Sequence, residues 1–482
     1  MRSRTLTLLT CAATFITAAT AQLPTLLKDI NPTGGSNAIY LTCFGDLVYF
    51  NATDGVHGAE LWMTDGTEAG TVMVKDLNPG TGAGFPKDFM EMNGVIYFSA
   101  TDGINGIQLW STDGTESGTQ VVLSLADVNG LIEWMDFVVL GDRIFFRGRD
   151  AVNGSELWST DGTAAETQMF LDINPGLVNS GIQDPMVHDG MLYFRAANAT
   201  DGPEPWISDG TIAGTHMIKD IIPGTPGSDP SLFAAAGGLV FFRAGTSATG
   251  DELWVTDGTE AGTSLVRDIY PGTNSSLPSN LIEHNGQLHL RAFPTAGSST
   301  ALIWQSDGNL AGTVSLPTFG YTNPDNLCSH NGSLYFTALL GTGNRQLWRS
   351  DGTALGTYQI LFPGSDVISP FASATAPFSC NGTLYFRASY TVATGAELYT
   401  LNLPTGNEEY TGDITQLYPN PAMDRMVVHL ARPTNAKLLD NSGRVVRSWR
   451  LSAGSNTVDL AGLANGAYMM VTEVSAHRIL KQ

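Results

Sequence analysis

Cysteine and basic residues are scarce in this sequence. Four of its 482 residues are cysteine, and 24 lysines and arginines stand against 46 aspartates and glutamates, for a net charge of −22. Nucleic acid is excluded as a partner, because phosphate binding requires clustered basic side chains. After the N-terminal segment, Cys43, Cys328 and Cys380 remain, and three thiols cannot all pair within one chain. Disulfides are therefore not expected to be the main support of the fold.

Long apolar runs are also absent beyond the N-terminus. Arg2 and Arg4 precede an apolar stretch from Leu6 to Ala19 that is too short to span a bilayer. Ala19-Thr20-Ala21 fits cleavage after small residues, so residues 1–21 are predicted to be a signal peptide. The mature chain is then expected to have no transmembrane segment. The chain is therefore expected to be exported from the cytoplasm.

Sequence signatures of catalysis are missing as well. The chain has no HExxH, Walker loop, GxSxG or paired CxxC, and its eight histidines are scattered. We therefore predict no catalytic residue, no metal ligand and no cofactor, and the sequence identifies no binding residue. His289 stands in an aromatic strand position, which favours a packed core histidine over a ligand. The absence of catalytic motifs favours a binding protein over an enzyme, and the sequence leaves both open.

A repeat of about 48 residues dominates what the sequence does contain. Each copy carries a tryptophan in a phrase such as ELWMTDGTEAGT, and an eighth copy carries Tyr399 instead. A period of this length indicates a repeat architecture. The seven tryptophans are Trp62, Trp110, Trp158, Trp206, Trp254, Trp304 and Trp348.

Each repeat is typical of four short strands separated by tight turns. In the second repeat, apolar pieces at Phe89 to Met92, Val95 to Phe98, Ile107 to Thr112 and Gln120 to Leu125 alternate with Asn-Gly and Asp-Gly turns. This predicts an all-β fold, an eight-bladed β-propeller over residues 22–402. The segment from Leu26 to Pro32 resembles a last strand without its first three, so it is expected to complete the eighth blade. An open β-solenoid is the alternative, but it would expose two sheet edges.

Tryptophan and aspartate recur at fixed places in the repeat, and we expect both to be structural. The tryptophans favour packing between sheets, with sugar stacking as the alternative. The Asp-Gly-Thr aspartates favour turn stabilisation, with Ca²⁺ binding as the alternative, although calcium needs six to eight converging oxygens. These aspartates are Asp65, Asp113, Asp161, Asp209, Asp257, Asp307 and Asp351.

Two further pairings are suggested by spacing. Arginines that follow the second strand stand nine or ten residues before glutamates of the third strand, which predicts cross-strand Arg–Glu pairs. Cys43 and Cys380 each lie two residues before a glycine, at equivalent places in the first and last repeats, and whether they pair is left open. The arginines of the four complete pairs are Arg147, Arg195, Arg243 and Arg387, and their glutamates are Glu156, Glu204, Glu252 and Glu397.

The phrase ELWMTDGTEAGTVMVKDLNPG, from Glu60 to Gly80, resembles the ELWxxDGT repeat family of exported bacterial proteins. The resemblance extends from Leu26 to about Leu401 and implies no particular activity. Two departures from the repeat, Leu131 to Asp136 and Phe293 to Thr300, are the best clues to specialisation.

The C-terminal segment differs in charge and in sequence. Residues 412–482 contain eight basic and five acidic residues, whereas residues 22–411 contain fourteen basic and forty-one acidic ones. Residues 416–482 resemble the type A C-terminal sorting domain of the type IX secretion system of Bacteroidetes-type bacteria, which implies a small Ig-like β-sandwich and the outer-membrane translocon as a partner. The resemblance also implies that the protein passes through the periplasm and is secreted or held on the outer-membrane surface. An ordinary adhesive Ig-like module is the alternative. Residues 403–415 are predicted to be a linker. The residues that carry the resemblance are Tyr418, Pro419, Asn420, Pro421, Gly443, Gly466, Tyr468 and Lys481.

Together these features predict a secreted or cell-surface propeller that binds polysaccharide or protein without catalysis. A glycan or a surface protein is the expected ligand, bound by loops that connect strands. The alternatives are a polysaccharide hydrolase or lyase with carboxylates in the central cleft, and a structural surface-layer component.

Overall fold

The computed structural model describes residues 24–124, 133–295, 298, 300–339, 345–353, 356–360, 377–389, 395–402, 414–418, 422–430, 433–440, 444–472 and 476–481. The predicted signal peptide, most of the predicted linker, and Pro419, Asn420, Pro421 and Gly443 lie outside these ranges. The chain divides into two compact units, one spanning Pro24–Thr405 and the other containing Gly406–Gln482.

The first unit is an eight-bladed β-propeller of four-stranded antiparallel sheets, as predicted. Strand β1 (Thr25–Lys28) precedes blade 1, which contains β2 (Ile39–Phe44), β3 (Leu47–Ala52), β4 (Glu60–Thr64) and β5 (Val72–Lys75). Blade 2 contains β6 (Lys87–Met92), β7 (Val95–Thr101), β8 (Ile107–Thr112) and β9 (Gln120–Leu123). Blade 3 contains β10 (Glu133–Leu140), β11 (Arg143–Asp150), β12 (Gly154–Thr160) and β13 (Gln168–Leu171). Blade 4 contains β14 (Gln183–His188), β15 (Met191–Ala196), β16 (Glu204–Ser208) and β17 (His216–Met217).

The remaining blades repeat the same order. Blade 5 contains β18 (Ser231–Ala236), β19 (Leu239–Thr246), β20 (Gly250–Thr256) and β21 (Ser264–Arg267). Blade 6 contains β22 (Ser279–His284), β23 (Gln287–Ala292), β24 (Leu302–Ser306) and β25 (Val314–Ser315). Blade 7 contains β26 (Thr322–His330), β27 (Ser333–Leu339), β28 (Arg345–Ser350) and β29 (Tyr358–Gln359). Blade 8 contains β30 (Phe378–Cys380), β31 (Thr383–Ser389) and β32 (Ala396–Asn402).

The ring closes through blade 8, where the N-terminal strand joins the C-terminal ones. Strand β1 pairs antiparallel with β32, with Leu26 opposite Tyr399. A cluster that contains Leu27 from β1, Val48 and Trp62 from blade 1 and Leu398 from blade 8 buries the joint. The first strands of successive blades pack against one another around the central channel, and the fourth strands form the rim. The predicted closure of a ring of eight is therefore confirmed.

The pairing of Cys43 with Cys380, which the sequence left open, is present as a disulfide with Cα atoms 5.8 Å apart. The two positions are not equivalent, because Cys380 lies opposite Thr383 at the end of its ladder whereas Cys43 lies opposite Val48, one pair earlier. Successive residues of a strand point to opposite faces of the sheet. The one-residue offset therefore turns the two thiols of neighbouring blades toward each other.

The predicted Arg–Glu pairs are wrong. In blade 3, Arg147 lies opposite Leu157, and Glu156 lies opposite Gly148, so the two charged side chains leave opposite faces of the sheet. Arg147 pairs instead with Asp136 at 3.5 Å, and the other blades show the same register.

The second unit contains two small sheets, ordered β33-β34-β37 and β36-β35-β38-β39. One core that includes Val428, Leu438, Val458 and Met470 draws residues from both sheets, which makes the unit a β-sandwich. Its strands are β33 (Ile414–Tyr418), β34 (Arg425–Leu430), β35 (Thr434–Leu439), β36 (Val445–Leu451), β37 (Gly454–Asp459), β38 (Gly466–Val471) and β39 (Ala476–Lys481).

Candidate binding face

Two kinds of connection share one face of the propeller, which we call the loop face. One joins the second and third strands of a blade, and the other joins the fourth strand to the first strand of the next blade. Hydrogen bonds link them, because Gly84 N–H donates to the carbonyl of Ala59 and Thr101 N–H donates to the carbonyl of Gly84. The opposite face, the turn face, carries the tight turns between first and second strands and the Asp-Gly-Thr turns between third and fourth strands.

Buried glutamates fix the connections of the loop face. Glu252 is fully buried and accepts hydrogen bonds from the N–H groups of Ile269 at 2.9 Å and Ser276 at 2.8 Å. Glu60 does the same for Leu77 and Gly84. Burial raises the pKa of Glu60, Glu156 and Glu252 to about 7, while the backbone N–H groups oppose that rise. The full set comprises Glu60, Glu156, Glu204, Glu252 and Glu397, with Gln108 and Gln346 at the same place in two blades.

In blades 1–7, a bulge in the first strand marks the mouth of the central channel on the loop face. In blade 2 the register shifts between Lys87 and Met90, and Asp88 between them has a φ of 55°. Bulges re-aim side chains and occur often beside functional sites. Blades 1–7 each carry one residue at this place, all with φ between 50° and 59°, and we call them the mouth ring. Its members are Tyr40, Asp88, Asp136, Asp184, Leu232, Asn280 and Asn326.

Three carboxylates of the mouth ring lie in blades 2–4, and Lys87 Nζ lies 3.3 Å from one of them, Asp88 Oδ2. The pKa of Asp136 is raised by partial burial, and repulsion from Asp88 and Asp184 adds to the rise while Arg147 opposes it. Arg147 Nη1 lies 3.5 Å from Asp136 Oδ2 and also donates to the carbonyl of Ile182 in the next blade. Among the described residues, no three His, Cys, Asp or Glu side chains are grouped so that they could hold a metal ion.

The opposite sector of the mouth is neutral or basic in character. Asn280 Nδ2 donates to Asp325 Oδ1 at 2.7 Å, and Arg345 Nη2 lies 3.5 Å from the same carboxylate. Arg291 donates to Asn323 and lies over the ring of Phe293, with its guanidinium carbon 4.9 Å from the centroid. The second predicted departure, which begins at Phe293, therefore borders the mouth, and the first one ends at Asp136 of the mouth ring.

The seven repeat tryptophans lie away from the mouth, in the core between blades. Trp110, for example, packs with Tyr49 and Leu61 of the preceding blade and with Phe98 of its own. All seven are between 3% and 8% exposed, which leaves no ring face open for stacking on a sugar.

The repeat aspartates lie on the turn face, far along the strands from the mouth. Asp65 Oδ1 accepts the N–H of Thr67 at 2.9 Å and its hydroxyl at 2.7 Å. These hydrogen bonds hold the pKa of Asp65 below its usual value. The other six aspartates accept the N–H two residues ahead in the same way.

Sequence reasoning missed the mouth ring. Each of its members stands nine residues before the aromatic position of the second strand, as Asp88 does before Tyr97. Asp88, Asp136 and Asp184 recur at intervals of 48 residues and could have been noticed. The other four members are tyrosine, leucine and two asparagines, so a comparison of residue identities between repeats does not reveal the position.

In the C-terminal unit, the residues of the sorting resemblance contribute to the sandwich where the structure describes them. Tyr418 ends β33 and Gly466 begins β38. Tyr468 is buried and its hydroxyl donates to the carbonyl of Ala464 at 2.8 Å. Lys481 is 7% exposed and lies 3.1 Å from the carboxylate of Asp424.

Several solved structures are similar to this chain at low sequence identity, with TM-scores below 0.5. Puromycin hydrolase matches 77% of this chain at 15% identity with a TM-score of 0.47, and the chain spans 62% of its length. PorZ, a surface component of the type IX secretion system of Porphyromonas gingivalis, matches 93% of this chain and 69% of its own at 14% identity and a TM-score of 0.39. The propeller domain of the Trilobed protease from Pyrococcus furiosus matches 68% and 96%, respectively, at 10% identity and a TM-score of 0.39.

No curated protein sequence matches the chain significantly. The described ranges contain no helix of the length and apolarity needed to cross a membrane. Residues 416–482 match the secretion system C-terminal sorting domain, which confirms the resemblance of the tail. The chain is thus a β-propeller protein with the sorting domain of proteins that the type IX secretion system delivers to the cell surface or secretes.

Proposed function

We propose that the propeller is a non-enzymatic binding module for polysaccharide or protein outside the cell, and that the mouth ring is its ligand site. The observation that carries this proposal is a constant backbone with variable side chains. Blades 1–7 repeat the same left-handed bulge, yet it presents tyrosine, aspartate, leucine or asparagine. The turn face keeps the same Asp-Gly turn in the same seven blades. Variable side chains on a constant backbone are typical of recognition surfaces.

Exposed aromatic side chains strengthen this reading. Tyr40 in the mouth ring is 51% exposed and Phe85, three residues before Asp88, is 62% exposed. Both have positive φ, which bulky residues rarely adopt and which costs about 1–3 kcal/mol. These two rings are not part of the buried core. A sugar or a peptide could stack on them.

The test is a binding assay with the mature full-length protein. A glycan array and a panel of extracellular proteins would identify a ligand, and calorimetry would compare wild type with a Tyr40→Ala, Phe85→Ala double variant. We expect about tenfold weaker binding or more in that variant. The matched control is Ile212→Ser, which changes a residue of similar exposure, 62%, on the turn face. Equal affinity of the wild type and the double variant would refute the site.

A second candidate function is hydrolysis or elimination of an acidic or neutral polysaccharide. Asp136 has a raised pKa and lies near two other carboxylates, and glycosidases use one protonated and one ionised carboxyl group. New reducing ends or unsaturated products from a polysaccharide panel would favour this candidate if Asp136→Asn abolished them. Binding without turnover, retained in Asp136→Asn, would favour the non-enzymatic module.

A further inference from the structure

Three neighbouring blades carry loops of the same construction between their second and third strands. In blade 1, Asp54 Oδ1 accepts the N–H groups of Val56 at 2.9 Å and His57 at 2.8 Å, and Oδ2 binds His57 Nδ1 at 2.8 Å. Asp102 holds Ile104 and Asn105 in blade 2, and Asp150 holds Val152 and Asn153 in blade 3, with the same set of bonds. Each loop is therefore fixed from within and presents one defined apex.

The apex residue is a branched aliphatic one in all three loops, and it faces solvent. Val56 is 67% exposed, Ile104 86% and Val152 70%. The connection that follows blade 3 lies beside the third loop, because Asn179 Oδ1 accepts the N–H of Ser155 at 2.9 Å. That connection adds two more exposed residues, at 72% and 61%. We call the set the apolar arc: Val56, Ile104, Val152, Leu177 and Val178.

Loop construction does not require an aliphatic apex. In blade 4, Asn198 Oδ1 accepts the N–H groups of Thr200 and Asp201, so a polar residue occupies the same apex of an equivalent loop. In blade 5, Ala248 stands there and Thr246 provides the acceptor. The aliphatic side chains of blades 1–3 thus remain exposed without contributing to their own loops. Exposed aliphatic residues that recur on one face without a role in their own loops indicate an interaction surface.

The negative charge around the arc indicates that its partner is cationic. Each of the three loops carries an aspartate two residues before its aliphatic apex, namely Asp54, Asp102 and Asp150. Residues 22–411 as a whole carry fourteen basic against forty-one acidic residues. Aliphatic apices bind aliphatic side chains, whereas sugars favour aromatic platforms. A neighbouring acidic field attracts cationic groups.

We propose that the apolar arc docks a polypeptide that presents aliphatic side chains together with lysine or arginine. This surface is separate from the ligand site proposed at the mouth ring, although both lie on the loop face. Its occupant is a cationic, apolar segment of another protein. A glycan would bind at the mouth and leave the arc free.

The experiment is selection of short random displayed peptides on the full-length protein, followed by fluorescence anisotropy of the enriched peptides. We expect sequences rich in aliphatic and basic residues that bind less tightly as salt is raised. A Val56→Ser, Ile104→Ser, Val152→Ser variant should bind them about tenfold more weakly. The control variant Ile212→Ser, Leu310→Ser changes two apices of similar exposure, 62% and 64%, on the turn face, and should bind like the wild type.

The outcomes separate this proposal from the proposed function. Tyr40→Ala, Phe85→Ala should leave peptide binding unchanged, and the arc variant should leave binding of a mouth ligand unchanged. Enriched peptides that are acidic, that bind the arc variant as well as wild type, or that lose binding only in the mouth variant would overturn the arc. Failure to enrich any peptide on wild type beyond the arc variant would do the same. Melting curves of each variant check that the fold is intact.

Discussion

Cys43 and Cys380 join the first strands of blades 1 and 8 at a sequence separation of 337 residues. The corresponding places at the two preceding junctions hold hydrogen bonds instead. His330 Nδ1 lies 2.8 Å from Ser379 Oγ, and His284 Nδ1 lies 2.8 Å from Ser329 Oγ. Elsewhere the N-terminal and C-terminal parts of the ring are joined by the pairing of β1 with β32, so the disulfide adds a covalent link to that closure.

Loss of this disulfide should weaken the propeller substantially. A link across so long a loop restricts the unfolded chain, and we expect Cys43→Ser, Cys380→Ser to lower the free energy of unfolding by about 2–5 kcal/mol. Thermal melts of both proteins with and without reductant measure this. Reductant should lower the melting temperature of wild type and leave the double variant unchanged. Identical melting of oxidised and reduced wild type would contradict the expectation.

The repeat made the architecture readable from the sequence because the same spacing recurs in every blade. Strand β8 runs over Ile107–Thr112, the bounds expected from the pattern. Side-chain direction was not readable. The Glu252 carboxylate accepts N–H groups 17 and 24 residues later, and no local pattern signals such a contact. The offset between the two cysteines depends on the position of the turn, which is at residues 45–46 in blade 1 and at 381–382 in blade 8. Both cysteines lie two residues before a glycine, so this spacing wrongly suggested that their positions are equivalent.

Gly114 of the second Asp-Gly-Thr turn should tolerate no side chain. Its φ is 88°, and an added Cβ would lie 2.8 Å from the Tyr49 hydroxyl of the preceding blade. Gly352 has a similar φ of 84°, and no described atom lies within 4 Å of an added Cβ. Gly352→Ala should therefore cost about 1–2 kcal/mol from backbone strain alone, and Gly114→Ala about 1–3 kcal/mol more. Chemical denaturation of both variants measures the difference.

The Tyr49 hydroxyl provides the control for that comparison. If the contact between blades causes the extra loss, Tyr49→Phe should recover much of it in the Gly114→Ala background but not in Gly352→Ala. Equal costs for the two alanine variants would mean that the hydroxyl moves aside freely.

The buried glutamates should make the propeller more stable in mild acid than in mild base. Burial raises the pKa of Glu60, Glu156 and Glu252 to about 7, so the folded state binds these protons more tightly than the unfolded state does. Their contribution is complete below about pH 4.5 and is lost as the pH rises through about 7. Each group contributes up to about 3 kcal/mol, by the relation between pKa shift and free energy.

Glutamine is the natural replacement for these glutamates, because Gln108 and Gln346 occupy the same place in other blades. The triple variant Glu60→Gln, Glu156→Gln, Glu252→Gln should show a smaller fall in melting temperature between pH 5 and pH 8 than wild type. Glu68→Gln, which changes an exposed residue of the first Asp-Gly-Thr turn, is the matched control. An unchanged pH slope in the triple variant would show that these carboxyl groups are ionised throughout that range.

His289 should act in the opposite direction. It is 6% exposed in the aromatic position of blade 6, with its ring centroid 5.1 Å from that of His284. Burial, with a smaller contribution from His284, lowers its pKa to about 4, so the folded state holds the ring neutral. The stability that this provides is present above about pH 6.5 and is lost as the pH falls through about 4.

His289→Phe tests this directly, because phenylalanine occupies the same position in blades 3 and 5, as Phe145 and Phe241. The variant and wild type should melt alike at pH 8, and the variant should gain up to about 3 kcal/mol over wild type as the pH falls from 6.5 to 4. The glutamates titrate equally in both proteins, so their effect cancels in the comparison. His216→Gln, at an exposed position, should follow wild type throughout. Parallel loss of stability in wild type and His289→Phe would show that the acid sensitivity arises elsewhere in the chain.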